Sequence, residues 1–258
     1  MATIIYPSPI FGPVHSRRLG LSLGINVCPP DGKICSFDCI YCECGFNADF
    51  RPKSKMPSRG LIARRLEETL LEMRKAGKLP DTMTFSGNGE PTGHPDFPGI
   101  VDDTLALRAK YCPATQVSVL TNATRITKPE IFESLLKVDN ALLKLDTVDP
   151  DYIALVDRPN GHYRIEEILE RMKAFGPRAI IQSMFLRGSF EGRSVDNTTE
   201  RYVGPWLKAI GEIRPKLVTI YTIARETPDH DLRKAPAESL DAIADRVRAL
   251  GIAAQVSY

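Results

Sequence analysis

The 258-residue sequence lacks the features that would place it in a membrane or in a strongly charged class of protein. No apolar run approaches the roughly 18 residues that a membrane span needs. The first residues, MATIIYPSPIFGP, carry no basic group and three prolines, so they make a poor signal peptide. A formal net charge of +2 argues neither for nor against a nucleic-acid partner. We therefore expect a cytoplasmic protein that has no membrane partner.

Cysteine is missing from the C-terminal half of the chain, and most of the cysteines are concentrated in one place. The six cysteines are Cys28, Cys35, Cys39, Cys42, Cys44 and Cys112, and the first five lie within seventeen residues. This crowding argues against a disulfide framework distributed along the fold. In a reducing compartment, clustered cysteines more often bind metal or act as redox groups.

From residue 56 onward, short apolar or β-branched runs alternate with longer amphipathic ones, a pattern that predicts strands and helices in turn. Such alternation implies right-handed crossovers and a mainly parallel sheet. Six strand–helix units and a final strand fall two units short of a closed eight-unit barrel. We predict an α/β fold with a partial (β/α)6 barrel, and a doubly wound open sheet is the alternative. The predicted strands are RLGLSLGINV, TMTFSG, QVSVLTN, NALLKLDT, RAIIQSMFL, KLVTIYTIA and AAQVSY.

We predict that residues 1–258 form one domain, because no linker divides the chain. The longest stretch without a clear pattern, about residues 28–56, holds the cysteines. A loop of this length inside a compact domain is usually functional. It follows the first predicted strand, and the carboxyl ends of parallel strands are where such folds place their chemistry.

The segment CSFDCIYC places three cysteines, Cys35, Cys39 and Cys42, within eight residues. Three thiolates can wrap one face of a cubane iron–sulfur cluster and ligate three of its four irons. Electron-transfer clusters normally have four cysteines, so the fourth iron would remain open to a chelating substrate. Two alternatives follow from spacing alone. One is a zinc site completed by Cys44, Cys28 or a histidine, and the other is a closed ferredoxin-like cluster.

This segment resembles the signature of the radical S-adenosylmethionine (SAM) superfamily, in which the residue before the last cysteine is aromatic, as Tyr41 is here. The resemblance covers about residues 13 to 225. It implies a partial barrel of six units with the cluster loop after the first strand. It also implies a [4Fe–4S] cluster and SAM as cofactors, with Cys35, Cys39 and Cys42 as catalytic metal ligands. The flanking segments GPVHSRRLGLSLGIN and YTIARETP resemble a subgroup related to the wyosine-forming tRNA enzymes.

A second motif, FSGNGEPT, ends the second predicted strand and matches the glycine–glycine–glutamate position of that family. The resemblance implies that its backbone carbonyls and the Glu90 carboxylate accept hydrogen bonds from the methionine amino group. Polar residues at later strand ends are expected to face the ribose and the carboxylate, and the sixth strand is expected to pack against adenine. The predicted cofactor-binding residues are Tyr41, Gly87, Asn88, Gly89, Glu90, Thr121, Asn122, Lys144, Asp146, Gln182, Tyr221, Thr222 and Ile223.

The resemblance also implies the reaction. One electron from the reduced cluster cleaves SAM into methionine and a 5′-deoxyadenosyl radical, which takes a hydrogen atom from the substrate. The expected partners are an external electron donor of the flavodoxin or ferredoxin type and an unidentified small-molecule or peptide substrate. Cys28, Cys44 and Cys112 are expected to be ordinary thiols.

RNA is an alternative substrate because the stretch from Arg51 to Arg65 carries six cations and no acid. Together with His15, Arg17 and Arg18, these cations could contact phosphates. A solvated basic rim is the commoner explanation of such a run. Two alternatives from other classes are an iron–sulfur electron carrier with a fourth ligand such as Cys44, and a zinc-stabilised nucleic-acid-binding protein.

Overall fold

The computed structural model describes residues 4–16 and 19–258, so Arg17 and Arg18 lie outside the described residues. Strands and helices alternate along most of it. The strands are β1 (Ile10–Ser16), β2 (Gly20–Ile25), β3 (Thr82–Phe85), β4 (Gln116–Thr121), β5 (Asn140–Lys144), β6 (Ala179–Met184), β7 (Leu186–Phe190), β8 (Arg193–Ser194), β9 (Leu217–Tyr221), β10 (Leu232–Lys234) and β11 (Ala254–Ser257). The helices are α1 (Arg59–Lys75), α2 (Phe97–Tyr111), α3 (Pro129–Lys137), α4 (Pro150–Tyr152), α5 (Ile165–Phe175), α6 (Glu200–Ile213) and α7 (Ala237–Ala249).

Eight of these strands form one curled sheet in the order β1-β2-β3-β4-β5-β6-β9-β11. Every neighbouring pair from β2 to β11 is parallel, and β1 is antiparallel to β2. Strands buried on both faces read as continuous apolar or small residues, as the fully buried β3 does. The prediction of an α/β partial barrel is confirmed. The doubly wound alternative is wrong, because the sheet curls into a half-barrel.

The main core lies between this sheet and the helices that follow its strands. The longer helices bury an apolar stripe in this core, and in α1 the stripe is Ile62, Leu66 and Leu70, all at most 1% exposed. Burial of each such side chain contributes about 1.5–3 kcal/mol to the free energy of unfolding. The helices thus cover the outer face of the sheet and leave its carboxyl-terminal edge to the loops.

A smaller sheet of three strands, in the order β10-β7-β8, stands beyond that edge. A second apolar cluster joins it to the cysteine loop, and its buried members include Ile40, Val156, Leu186 and Ile223. Sequence reasoning did not predict this small sheet or β1, because their runs are short or interrupted by glycine and proline. It also missed a five-residue π-helix, Ile153–Asp157, directly after α4. No helix in the described parts of the chain is long and apolar enough to cross a membrane.

Candidate active site

The cysteine loop leaves β2 at the carboxyl-terminal edge of the sheet and is held in shape by its own polar groups. The Asn47 side chain accepts a hydrogen bond from the Cys35 backbone N–H (3.0 Å) and donates one to the Phe37 carbonyl (3.0 Å). The backbone N–H of Asn47 donates to the Asp38 carboxylate (2.8 Å). A side chain that satisfies several loop groups fixes the path of the chain. Asn47 had no recognisable signal in the sequence.

The three predicted ligands, Cys35, Cys39 and Cys42, are partly exposed at this edge, whereas Cys28 and Cys44 are buried. The Cys35 sulfur accepts a hydrogen bond from the Asn122 side chain at 3.5 Å. The Cys39 thiol lies 3.7 Å from the Asp157 carboxylate, to which it donates. The sequence-predicted trio is therefore brought to one edge by one loop.

This donor set fits a cluster better than a single ion. Within residues 4–16 and 19–258, no three His, Cys, Asp or Glu side chains are placed to hold one metal ion. The ligands of a cubane bind different irons, so they need not converge on one point. Thiolates are also the usual ligands of iron–sulfur clusters. The zinc alternative therefore has no ready ligand set among the described residues.

The three thiols differ in their electrostatic surroundings. Burial raises the pKa of Cys35 to about 12, and burial also raises the pKa of Cys39 well above its ordinary value. The neighbouring Cys44 thiol and the positive charge of Lys33 lower the pKa of Cys42 to about 6, although partial burial acts in the opposite direction. Cys42 is the thiol best prepared to bind metal as a thiolate.

Gly89 connects the end of β3 to the cysteine loop. A Cβ at Gly89 would lie 1.7 Å from the Ile34 carbonyl oxygen, and its φ of +145° is one that other residues rarely adopt. The Ile34 N–H donates to the Asn88 carbonyl (3.0 Å), and the Glu90 N–H donates to the Ile34 carbonyl (3.1 Å). The predicted glycine motif therefore lies against the residue before Cys35.

The Glu90 carboxylate is buried and is already occupied by protein donors. Its Oε1 accepts hydrogen bonds from the Thr92 N–H (3.0 Å), the Thr92 hydroxyl (2.6 Å) and the Thr121 hydroxyl (2.7 Å). Its Oε2 accepts one from the Asn122 N–H (2.7 Å). Burial nevertheless raises the pKa of Glu90. Because a carboxylate has about four acceptor positions, Glu90 and Thr121 act here as a brace between β3 and β4.

The Asn88 side chain has a comparable structural role. It donates to the carbonyls of Tyr6 and Pro29 (both 2.9 Å) and accepts from the Tyr6 N–H (2.7 Å). Its amide is therefore engaged with the N-terminal segment. The Asn122 side chain, by contrast, contacts the cysteine loop itself, because it donates to the Ser36 hydroxyl (2.9 Å) as well as to Cys35.

A buried charged group follows β5. The Lys144 ammonium contacts the Tyr41 hydroxyl and the Asp146 carboxylate, and it lies 2.9 Å from the Asp157 carboxylate. Burial alone would lower the pKa of Lys144, but the two carboxylates raise it well above its ordinary value. Three predicted residues, Tyr41, Lys144 and Asp146, thus meet beside Cys39. Sequence reasoning missed Asp157, which ends the π-helix, because no pattern marked that helix.

The predicted residues at the ends of β6 and β9 differ in whether their side chains remain available to a bound molecule. The Gln182 side chain donates to the Tyr221 hydroxyl (3.1 Å), and its buried Oε1 has no hydrogen-bond partner within the described residues. That oxygen is an acceptor available to a bound molecule. The Thr222 hydroxyl accepts from the Ala235 N–H (2.8 Å), and Ile223 belongs to the second apolar cluster. Both side chains are therefore committed to the small sheet.

Two curated proteins show what the sequence is similar to. A protein named GTPase Obg from Brachyspira hyodysenteriae is 28% identical over 235 residues, covering 90% of this chain and 32% of that protein. UPF0026 protein MJ1312 from Methanocaldococcus jannaschii is 33% identical over 166 residues, covering 64% of this chain and 49% of that protein. The chain thus spans half or less of these two relatives. The 258-residue sequence of this chain contains no G-x-x-x-x-G-K-[ST] phosphate-binding motif.

Three solved structures show which proteins share the fold of this chain. A radical SAM methyltransferase from Sphaerobacter thermophilus superposes with a TM-score of 0.66 at 14% identity, over 92% of this chain and 66% of that one. Streptococcus suis SuiB bound to the precursor peptide SuiA gives 0.64 at 16% identity, over 91% and 48%. Archaeal TYW1 gives 0.52 at 12% identity, over 88% and 71%. At these identities the likeness shows the fold, and it does not confirm the wyosine-related subgroup.

A family model described as the Radical SAM superfamily matches residues 30–192. The match contains the cysteine loop, the glycine motif after β3 and the charged group after β5. It covers more than half of the sequence. The chain therefore belongs to the radical SAM superfamily.

Proposed function

We propose that this radical SAM enzyme carries out its chemistry at the carboxyl-terminal edge of the sheet, where Cys35, Cys39 and Cys42 hold the family's [4Fe–4S] cluster. The observation that carries the proposal is the single loop after β2 that presents three partly exposed thiols. The loop is tied to β3 through Gly89 and to β4 through Asn122. When bound and reduced, the cluster supplies the electron that cleaves SAM to methionine and a 5′-deoxyadenosyl radical.

In this proposal the methionine end of SAM lies beside the glycine motif. The Glu90 carboxylate already accepts four protein hydrogen bonds and the Gly87 carbonyl accepts two, so the backbone carbonyls of Asn88 and Gly89 are the better acceptors for the amino group. The Lys144 ammonium lies close to Cys39 and already contacts Tyr41, Asp146 and Asp157, so it would bind the carboxylate of methionine by exchanging one of these partners. Charge-assisted hydrogen bonds of this kind would fix the position of the sulfonium.

The nucleoside end of SAM would then extend toward β6 and β9. The unpartnered Oε1 of Gln182 suits a hydroxyl or amino donor of the nucleoside, and Tyr221 offers an adjacent ring. The second apolar cluster, with Ile40, Leu186 and Ile223 among its members, closes this side against the small sheet. An apolar wall of this kind excludes water from a reactive radical.

We propose that the substrate is a small molecule or a peptide and that residues 1–258 act as one domain. The SuiB structure contains a precursor peptide, which supports a peptide substrate on this fold. An external one-electron donor of the flavodoxin or ferredoxin type would reduce the cluster. An RNA substrate is the second candidate, supported by the exposed cations Arg51, Lys53 and Lys55 beside the cysteine loop and by the wyosine-like flanking motifs.

Anaerobic reconstitution followed by reduction in the presence of SAM tests the proposal. We expect one four-iron cluster per chain and release of methionine with 5′-deoxyadenosine, measured by chromatography. The matched control, Cys39→Ala, should release neither. A protein that binds stoichiometric zinc and remains colourless would contradict the proposal. A protein that takes up a cluster but leaves SAM intact would support the electron-carrier alternative.

A further inference from the structure

Arg158 is a half-buried arginine beside the cysteine loop, and the reaction as described so far gives it no role. Within residues 4–16 and 19–258, no hydrogen bond or ion pair joins its guanidinium to another group. The acid next to it in the sequence, Asp157, directs its carboxylate to the Lys144 ammonium at 2.9 Å and to the Cys39 thiol. A guanidinium carries five N–H donors and no acceptor. These donors are therefore available to a bound molecule.

Two aromatic rings hold the guanidinium in place. Its central carbon lies 5.0 Å from the centre of the Phe46 ring and 5.7 Å from the centre of the Phe190 ring. Both distances are within the range of about 6 Å over which a cation is attracted to an aromatic face. Phe46 belongs to the cysteine loop, and Phe190 is the last residue of β7 in the small sheet. The rings thus fix the cation between the loop and the small sheet without engaging its N–H groups with an oxygen.

The backbone of Arg158 is fixed as well. Its φ is +51°, in the left-handed region that residues other than glycine seldom adopt. At the end of the π-helix, its N–H donates to the Ile153 carbonyl (2.9 Å), and its own carbonyl accepts from the Asp38 N–H (3.1 Å). Glycine or asparagine is the usual residue where a helix ends in this way. An arginine here bears a conformational cost, and such positions cluster at binding sites.

We infer that Arg158 binds a carboxylate group of the substrate at the rim of the candidate active site. This inference rests on the proposed function, which places the chemistry at the same edge of the sheet. A guanidinium fork matches the two oxygens of a carboxylate, and the paired hydrogen bonds set orientation as well as affinity. Phe46 and Phe190 also pack against the second apolar cluster. The substrate that fits is therefore a small molecule or peptide with an apolar group next to a free carboxylate.

A matched pair of probes tests this inference on the full chain. N-acetylphenylalanine and its amide, N-acetylphenylalaninamide, differ only in the carboxylate. We expect the wild type to bind the acid about tenfold more tightly than the amide, because charge-assisted paired hydrogen bonds form only with the acid. Arg158→Gln should bind the acid as weakly as the amide, and Arg158→Lys, which retains the charge without the fork, should lie between them. Ligand-observed NMR titrations give the dissociation constants, and unchanged amide binding shows that the variants are folded.

Arg171 provides the matched control. Its guanidinium lies over the Phe132 ring at 4.8 Å on helix α5, so it shares the aromatic contact but not the place. Arg171→Gln should keep the full preference for the acid. Equal binding of acid and amide by the wild type, or an unchanged preference in Arg158→Gln, would overturn the inference. So would inorganic phosphate that binds more tightly than the acid and is lost in Arg158→Gln, because that result assigns Arg158 to the RNA candidate.

The methionine end of SAM is the other source of a carboxylate, and calorimetry with SAM separates it from the substrate. We expect equal SAM affinity in the wild type and in Arg158→Gln, and equal probe binding with and without SAM. Displacement of the acid probe by SAM would assign Arg158 to the cofactor and overturn the inference. The probes need no cluster. A wild-type chain that takes up no cluster would therefore contradict the proposed function while the carboxylate site is still measured.

Discussion

At the scale of single residues, the six cysteines divide by their surroundings. Cys28 and Cys112 are at most 2% exposed, and Cys28 donates to the Ile34 carbonyl at 3.8 Å. Cys35, Cys39 and Cys42 reach the surface of the loop. Since a cluster requires accessible thiolates, this division also separates ligands from packing residues.

We predict that replacing Cys35, Cys39 or Cys42 by Ala abolishes cluster absorbance, because each thiolate would ligate its own iron. Iron content and visible absorbance after reconstitution provide the measurement. Cys28→Ala and Cys112→Ala are the matched controls and should retain the full cluster. Full absorbance in Cys39→Ala would show that the ligands are assigned wrongly.

Cys44 is the most informative further control. Its thiol donates a hydrogen bond to the Gly87 carbonyl at 3.6 Å, and it lies near Cys42, whose pKa it lowers. The electron-carrier alternative needs Cys44 as the fourth ligand, whereas the proposed function does not. We predict that Cys44→Ala retains four irons per chain. Loss of the cluster in Cys44→Ala, in addition to its loss in the Cys35, Cys39 and Cys42 variants, would favour the closed cluster over the open one.

Glu90 is expected to affect stability as well as cofactor binding. Replacing it with Ala removes the acceptor of four hydrogen bonds, and each unsatisfied buried donor costs about 1–3 kcal/mol. We predict a loss of at least about 3 kcal/mol in the free energy of unfolding, together with weaker SAM binding by calorimetry. The exposed Glu238 is the control, and Glu238→Ala should change stability by less than about 0.5 kcal/mol. Unchanged stability in Glu90→Ala would refute the bracing role.

At the scale of elements, Gly89 couples a strand to the cysteine loop. We predict that Gly89→Ala displaces Ile34 and lowers the iron content, because the added Cβ would lie 1.7 Å from the Ile34 carbonyl oxygen at a φ of +145°. Gly161→Ala is a fair comparison, since no heavy atom lies within 4 Å of its added Cβ. If both variants take up equal iron, the close approach at Gly89 is not needed for the cluster loop.

The seven parallel strands could be predicted because each one reads as an apolar run between helices with amphipathic spacing. The cysteine trio and the glycine motif could be predicted because their spacing is local. Asn47 and Asp157 could not, because their roles depend on tertiary contacts that no local pattern records. Glu90 and Asn88 lie in the predicted motif after β3, but their side chains mainly bind protein groups, and their roles toward SAM stay predictions.

At the scale of the whole molecule, the exposed cations Arg51, Lys53 and Lys55 distinguish the substrate classes. If the substrate is a small molecule or peptide, we predict that tRNA binds no more tightly to the wild type than to a variant with all three replaced by Gln. Binding to RNA phosphates would instead weaken by about 0.7 log units per contact for each decade of salt. Titration of tRNA at two salt concentrations decides between an RNA substrate and a small-molecule or peptide substrate. Micromolar, salt-sensitive binding that the triple variant loses would contradict the prediction.

The contacts of the cysteine loop also set an order of events during synthesis. Asn122 follows Cys35 by 87 residues, and Asp157 follows Cys39 by 118 residues. At about 5–20 residues per second, the ribosome adds the second of these partners roughly 6–24 seconds after Cys39. Throughout that interval the thiols are part of a nascent chain that lacks Asp157, and for most of it the chain also lacks strand β5. Cluster delivery is therefore expected to follow translation, and the unloaded thiols must be kept reduced until then.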